Sequence, residues 1–317
     1  MPLHLVTRGC GFIGSHLCAA LIARGDTVRV FDDLSTGSRA NLAPGAELVV
    51  GDVADPAAVR AAMAGVDGVF HLAAIASVQR CTEDWLGTHR VNLGGTIAVL
   101  DAARAGQGRG AVPVVYASSA AVYGEVEALP IIEDVSTRPL SAYGADKLGS
   151  ELHARVAGAV HGVPTMGLRF FNVFGPRQDP RSPYSGVISI FCDRFARGEG
   201  VEIYGDGGQT RDFIAVVDIV AGLLAGMEAA STEAPVLNLC TGRATSVLEL
   251  ARTIAGLCGA APAIAHREAR AGEIRHSVGS AEAARRVLGL GAPTPLAEGL
   301  ADVVAWLRAG RPGLTTG

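Results

Sequence analysis

The chain has 317 residues, 49% hydrophobic and 18% charged, with a formal net charge of -4. That length can bury one large core or two moderate ones. Without any basic run it carries no electrostatic footprint for nucleic acid or an anionic membrane surface, so neither is expected as a partner.

In chain order, the first strand-like run, LHLVT, starts at Leu3, too early to follow a signal peptide. No apolar run approaches the roughly 18 residues of a bilayer span, so a cytoplasmic protein is expected. GSHLCAALIARG, TVRVFDD, ELVVGDV, AAVRAAMAG and GVFHLAA follow, alternating between helical and strand patterns. A helix over 92–105, the strand VPVVYASS, a long helix over 142–161 and the strand TMGLRFFNV continue the rhythm. This is the signature of βαβ units feeding a parallel sheet, and it predicts an α/β fold with a doubly wound, Rossmann-type sheet over 1–174. GPRQDPRSPYSG is loop-like, and a smaller α/β part is expected over 175–317, with late helices near 246–257 and 295–307. Within it, RDFIAVVDIVAGLLAGM reads as a strand and helix returning to the first domain, at about 208–230. The cysteines at 10, 18, 81, 192, 240 and 258 show neither a C-x-x-C pair nor a histidine at ligand spacing. Reduced thiols and no metal are expected.

In TRGCGFIGSHL, Gly9, Gly11 and Gly14 form a G-x-G-x-x-G between a strand and a helix, and Asp32 ends the next strand. That context matches the dinucleotide fingerprint. The glycines let the backbone approach a pyrophosphate, the helix N-terminus meets its charge, and the carboxylate takes ribose hydroxyls. Asp32 would repel a 2′-phosphate, which favours NAD over NADP. Asp52 in GDVAD also ends a strand, where it either meets the adenine amino group or caps a helix.

Tyr143 and Lys147 lie four residues apart in a stretch of helical periodicity and so share one face. An ammonium beside a phenol lowers its pKa from about 10 toward working pH and makes it a usable base. YASSAAVYG delivers Ser118 and Ser119 to the C-terminal end of a buried strand, where open α/β sheets bind ligands. Ser119 reads either as catalytic or as a strand-end hydroxyl satisfied by backbone; His71, in an apolar strand, reads as structural.

The segments GCGFIGSHL, FDDLSTG, GDVAD, FHLAA, VNLGGT, YASSAAVYGE, SAYGADK, LRFFNVFGPRQDP, IYGDGGQTRDFIAVVDI, LNLCTG and RAGEIRHS occur in this order. Through them nearly the whole chain resembles the extended short-chain dehydrogenases/reductases and, within these, the nucleotide-sugar 4-epimerases. The resemblance implies tightly bound NAD and a UDP-sugar substrate oxidised transiently at C4 to a 4-keto sugar, then reduced from its other face. Tyr143 would be the base for the 4-hydroxyl, Lys147 would tune it and hold the nicotinamide ribose, and Ser119 would bind the same hydroxyl. Cofactor contacts are implied for Gly9, Gly11, Phe12, Ile13, Gly14, Asp32 and Asp33, then for Asp52, Val53, Leu72, Ala73, Ala74 and Asn92. Substrate contacts are implied for Ser77, Ser118, Asn172 and Val187, with Tyr204 on the nucleobase, Arg211 and Arg270 on the diphosphate and Glu273 on the nucleotide ribose. Ser277, small where a tyrosine would fill the space of an acetamide, points to UDP-N-acetylglucosamine and UDP-N-acetylgalactosamine, with UDP-glucose as a weaker substrate. A homodimer is implied, and the apolar positions of 96–103 and 148–156 allow it.

The family pattern is T-G-x-x-G-x-x-G, and Arg8 stands in place of its first glycine. Such an arginine either reaches a phosphate or the adenine, or pairs with Asp32 or Asp33. Three other readings compete. A 4,6-dehydratase would carry Asp-Glu after the catalytic serine, where this chain has Ala120 and Ala121. A UDP-glucuronate 4-epimerase or decarboxylase would offer an arginine just after GPRQ, where this chain has Asp179, with Arg181 close by. A non-catalytic NAD-binding scaffold is opposed by Ser119, Tyr143 and Lys147 occurring together.

Overall fold

The computed structural model describes residues 1–105, 110–180, 186–261, 263–269 and 274–310. Strands β1 (Leu3–Thr7), β2 (Thr27–Asp32), β3 (Glu47–Val50), β4 (Gly68–His71), β5 (Val114–Ser119) and β6 (Thr165–Phe170) build most of the central sheet. Shorter strands follow: β7 (Asn172–Phe174), β8 (Val201–Tyr204), β9 (Thr210–Arg211), β10 (Phe213–Ala215), β11 (Val236–Leu239), β12 (Thr245–Ser246), β13 (Ile264–Arg267) and β14 (His276–Ser277). The seven-stranded sheet has the order β11-β6-β5-β4-β1-β2-β3, and every pairing in it is parallel. The order reverses at β1, which lies between β4 and β2, so a crevice opens beyond the C-terminal ends of β1 and β4.

A strand buried on both faces needs apolar side chains at successive positions. Along β1, Val6 joins the core layer with Leu17, Leu21, Phe70, Ile219 and Leu223, while Leu5 joins the opposite one with Phe31, Val99, Tyr116 and Ala154. The first layer is covered by α1 (Phe12–Ala23) and a later helix, Val216–Glu228; the second by Gly95–Ala102 and the long helix Ala142–His161. Ser141 starts that long helix by accepting the Gly144 N–H at 3.1 Å, and Gly162, at φ 65°, ends it in the left-handed conformation that costs glycine least.

The returning stretch is longer than the sequence pattern suggests. β10 pairs with β7, Val216–Glu228 packs against α1 and β6, and β11 then adds the seventh strand beside β6. The short run VLNL gives no local sign of this, because its sheet partner lies far back in the chain. A separate core of Phe191, Phe195, Ile203, Leu250, Ile254 and Leu300 holds the C-terminal elements together. Among the described residues, no helix is long and apolar enough to cross a membrane, and all six cysteines are free.

Candidate active site

The turn between β1 and α1 is built on close contacts. A Cβ on Gly14 would fall 2.2 Å from the Arg8 carbonyl oxygen, and one on Gly9 would lie 2.6 Å from Val30. Only glycine lets the helix start this near the strand. The first bond inside α1 runs from Ser15 N–H to the Gly11 carbonyl at 3.0 Å, and no side chain caps the helix. The N–H groups of Phe12, Ile13 and Gly14 therefore face outward, as an anion site requires. This open, glycine-cradled helix end fits the diphosphate of a dinucleotide.

Two cavities flank the turn. The larger, about 530 Å³, is lined by Gly11 to Gly14, Leu72, Ala74, Ser118, Ser119, Tyr143, Lys147 and Asn172. The smaller, about 160 Å³, is lined by Asp32, Asp33, Val53, Ala73 and Ala74. Asp32 is 3% exposed and accepts the N–H groups of Cys10 and Leu34, each at 2.9 Å, so its carboxylate also ties the turn to the end of β2. Burial raises its proton affinity while those two bonds lower it. Asp33 accepts both the N–H and the hydroxyl of Ser35. Asp52 bonds the Ala54 N–H within its own turn, and the helix Pro56–Ala62 is capped instead by Asp55.

At the far end of the larger cleft Ser119 sits beside Tyr143, and its Oγ accepts the backbone N–H of Ala121 at 3.1 Å. The Lys147 Nζ donates to the Ala117 carbonyl at 2.7 Å and sits 5.8 Å from the Tyr143 ring centre. The electrostatics correct one expectation. The Tyr143 phenol is pushed up to about 12, because burial outweighs everything that stabilises its anion. What pulls it down is the neighbouring Ser119 hydroxyl and then the charge of Arg8. Burial also pushes the Lys147 ammonium down, to about 8. His71 at the end of β4 approaches Thr7 Oγ1 at 3.0 Å and Thr96 Oγ1 at 3.1 Å; burial, then the Lys147 charge, bring it down to about 3. It is a neutral link between β1, β4 and the helix Gly95–Ala102.

Three side chains read from the sequence as ligand contacts have their polar atoms taken up within the protein. Neighbours on a strand face opposite ways, so with Ser119 toward Tyr143, Ser118 donates to Glu151 Oε1 at 2.5 Å in the interior. Ser77 caps the helix Val78–Glu83 through the Arg80 N–H. Asn92 lies fully buried in a π-helical turn, where its amide oxygen accepts the Ile75 N–H at 2.7 Å and pins the loop after β4. Val187, Tyr204, Arg211 and Ser277 do not line the larger cleft. Arg211 and Ser277 are register partners on β9 and β14, and Ser277 is joined to the cleft through Asp212: its carbonyl accepts the Asp212 N–H, whose own carbonyl accepts the Asn172 N–H, each at 3.0 Å. Arg270 and Glu273, like Arg181, lie outside the described residues.

The cleft also includes Ser35, Thr36, Ser38, Arg177 and Gln178, which sequence reasoning did not single out. Their signals are present in two loops rich in small or polar residues, DLSTGS and GPRQ, but no periodicity marks such loops. Arg8 lines both cavities.

Residues 4–240 match the NAD dependent epimerase/dehydratase family. The chain is 37% identical to the UDP-glucose 4-epimerase of Mycolicibacterium smegmatis, over 96% of this chain and 98% of the relative. The UDP-glucose 4-epimerase of Thermotoga maritima, solved with UDP-glucose, superposes with a TM-score of 0.92 at 33% identity, covering 97% of this chain and 99% of that one. A UDP-N-acetylglucosamine 4-epimerase from Methanobrevibacter ruminantium, solved with UDP-N-acetylmuramic acid, superposes with a TM-score of 0.91 at 32% identity, covering 98% and 99%. With the glycine turn, the switch-point crevice and the Ser119, Tyr143 and Lys147 cluster all in place, the chain belongs to the NAD dependent epimerase/dehydratase family.

Proposed function

We propose that the protein is an NAD-dependent UDP-sugar 4-epimerase that interconverts UDP-N-acetylglucosamine and UDP-N-acetylgalactosamine, with UDP-glucose as a weaker substrate. The observation that carries the reaction class is the convergence of Ser119, Tyr143 and Lys147 in one cleft that reaches the glycine turn. Gly11 to Gly14, with Asp32 and Asp33, would hold NAD, which would supply a reversible two-electron acceptor when bound. The protein's own part is proton transfer and orientation. Tyr143 Oη removes the proton of the sugar 4-hydroxyl and later returns it, while Ser119 Oγ holds that oxygen in line. The Lys147 ammonium is fixed to β5 through Ala117 and keeps a positive charge near the phenolate as it forms. Asn172 at the cleft wall, and Arg211 behind it, are assigned to the diphosphate side of the sugar nucleotide.

The sugar assignment rests on the family resemblance at Ser277, a small residue set behind the cleft and joined to its wall through the backbone of Asp212 and Asn172. A glucuronate substrate is disfavoured by Asp179, which lines the cleft where that reading calls for an arginine. The test is to incubate the purified protein with UDP-N-acetylglucosamine, UDP-glucose and UDP-glucuronate separately and resolve the 4-epimers by chromatography. The N-acetylated sugar should turn over fastest, and Ser277→Tyr should suppress that reaction at least tenfold more than the UDP-glucose reaction, a steric exclusion of about 1.4 kcal/mol. Equal loss with both sugars, or turnover of UDP-glucuronate alone, refutes the assignment.

A further inference from the structure

The glycine turn holds one residue that neither the sheet nor the proton chemistry calls for. Arg8 adopts a left-handed backbone, φ 58°, which strains a side-chain-bearing residue and costs glycine almost nothing. A strained residue kept at the mouth of a cleft is a reason to look for a task. Its backbone is fixed on both sides, with its N–H donating to the Phe31 carbonyl at 2.8 Å and its carbonyl accepting the Gly11 N–H at 3.0 Å. The side chain folds back over the turn, with Cγ 3.1 Å from where a Cβ on Gly11 would stand. The guanidinium donates to the Ala74 carbonyl, in the loop after β4, and at 2.7 Å to Thr36 Oγ1, in the loop after β2.

It therefore stands between the two cavities and lines both. A molecule reaching from Asp32 and Val53 in the smaller to Tyr143 and Lys147 in the larger must pass it, next to the outward N–H groups of α1. The part of a dinucleotide that lies midway along such a path is its diphosphate. We propose that Arg8 is this chain's own clamp on the NAD diphosphate: its guanidinium gives up the neutral oxygens of Ala74 and Thr36 for phosphate oxygens and slows cofactor release. Charge-assisted, two-pronged bonds to phosphate are stronger than those to a carbonyl or hydroxyl, so the exchange is favourable. In a reaction with no net redox change the cofactor has no need to leave. The same cation also lowers the proton affinities of Tyr143 and Lys147, which places it within electrostatic reach of both.

The clamp rests on the cofactor assignment above, and the experiment separates the two. Parent, Arg8→Gly and Arg8→Lys proteins are purified with NAD, dialysed against NAD-free buffer and sampled over time, and the nucleotide left on the protein is released by denaturation and quantified. Melting temperatures are taken in parallel on the fully dialysed, NAD-free proteins, where cofactor affinity does not contribute. Arg8→Gly should lose NAD about tenfold faster than the parent, as expected for one lost charge-assisted contact. Arg8→Lys should fall between them, and the difference between parent and Arg8→Gly should shrink at high salt. Since glycine suits φ 58°, Arg8→Gly should melt no lower than the parent. Parent-like retention in Arg8→Gly overturns the clamp, and so does faster loss accompanied by a lower melting temperature. A parent that binds no NAD overturns the cofactor assignment, and the clamp with it.

Discussion

Behind β5, the strand that ends at Ser119, lies a buried charge pair whose removal should be costly. Arg169 on β6 donates to Glu151 Oε1 at 2.9 Å and Oε2 at 2.7 Å, and further to Tyr123 Oη at 2.7 Å and the Glu133 carbonyl at 3.1 Å. Both members of the pair are 7% exposed. Tyr123 Oη passes the chain on to Asn238 of β11 at 2.7 Å, so the network ties the long helix carrying Tyr143 and Lys147 to three strands. Arg169→Met keeps most of the volume but strands the Glu151 carboxylate with Ser118 as its remaining partner in the network. Breaking a buried pair in this way costs about 3–5 kcal/mol. Removing the charge as well, in Glu151→Gln/Arg169→Met, leaves no unpaired ion, so the double variant should be less destabilised than the sum of the singles by about 2 kcal/mol. Urea denaturation of the four proteins at neutral pH and equal NAD measures this through the midpoints. A loss below about 1 kcal/mol for Arg169→Met, or strict additivity, would refute the view that the guanidinium balances a charge the interior cannot otherwise hold.

Tyr143→Phe keeps the ring and removes the proton-transfer group, so kcat should fall by about 10²–10⁴-fold while NAD retention stays at the parent level; near-parent turnover would disprove the assigned base. Lys147 has a folded-state pKa near 8 against 10.5 for the free side chain. The unfolded chain therefore binds more protons between those two values, and stability should rise with pH across that window, by about 3 kcal/mol from this group. Lys147→Met should lack the rise. Parallel stability profiles for parent and variant between pH 7.5 and 10 would show that the ammonium is not desolvated as the structure implies.

Much of this protein is determined by its sequence alone, because the responsible physics is local. Alternating apolar runs and helical periodicities specify the strands and helices of the first domain, and two glycines that admit no Cβ specify the turn that opens α1. A spacing of four on a helix places Tyr143 and Lys147 on one face whatever surrounds them. Tertiary structure decides what no local pattern encodes. Whether β11 joins the sheet depends on an edge of β6 left open by the rest of the fold. Ser118 and Ser119 are adjacent and chemically alike, yet the pleat sends one to Glu151 and the other to Tyr143. Arg8 finds its partners 28 and 66 residues away, at the ends of two other strands. The proton affinity of Tyr143 follows neither from its own identity nor from the lysine four residues on. Desolvation sets it, and desolvation belongs to the packed molecule, in which segments remote along the chain together exclude water.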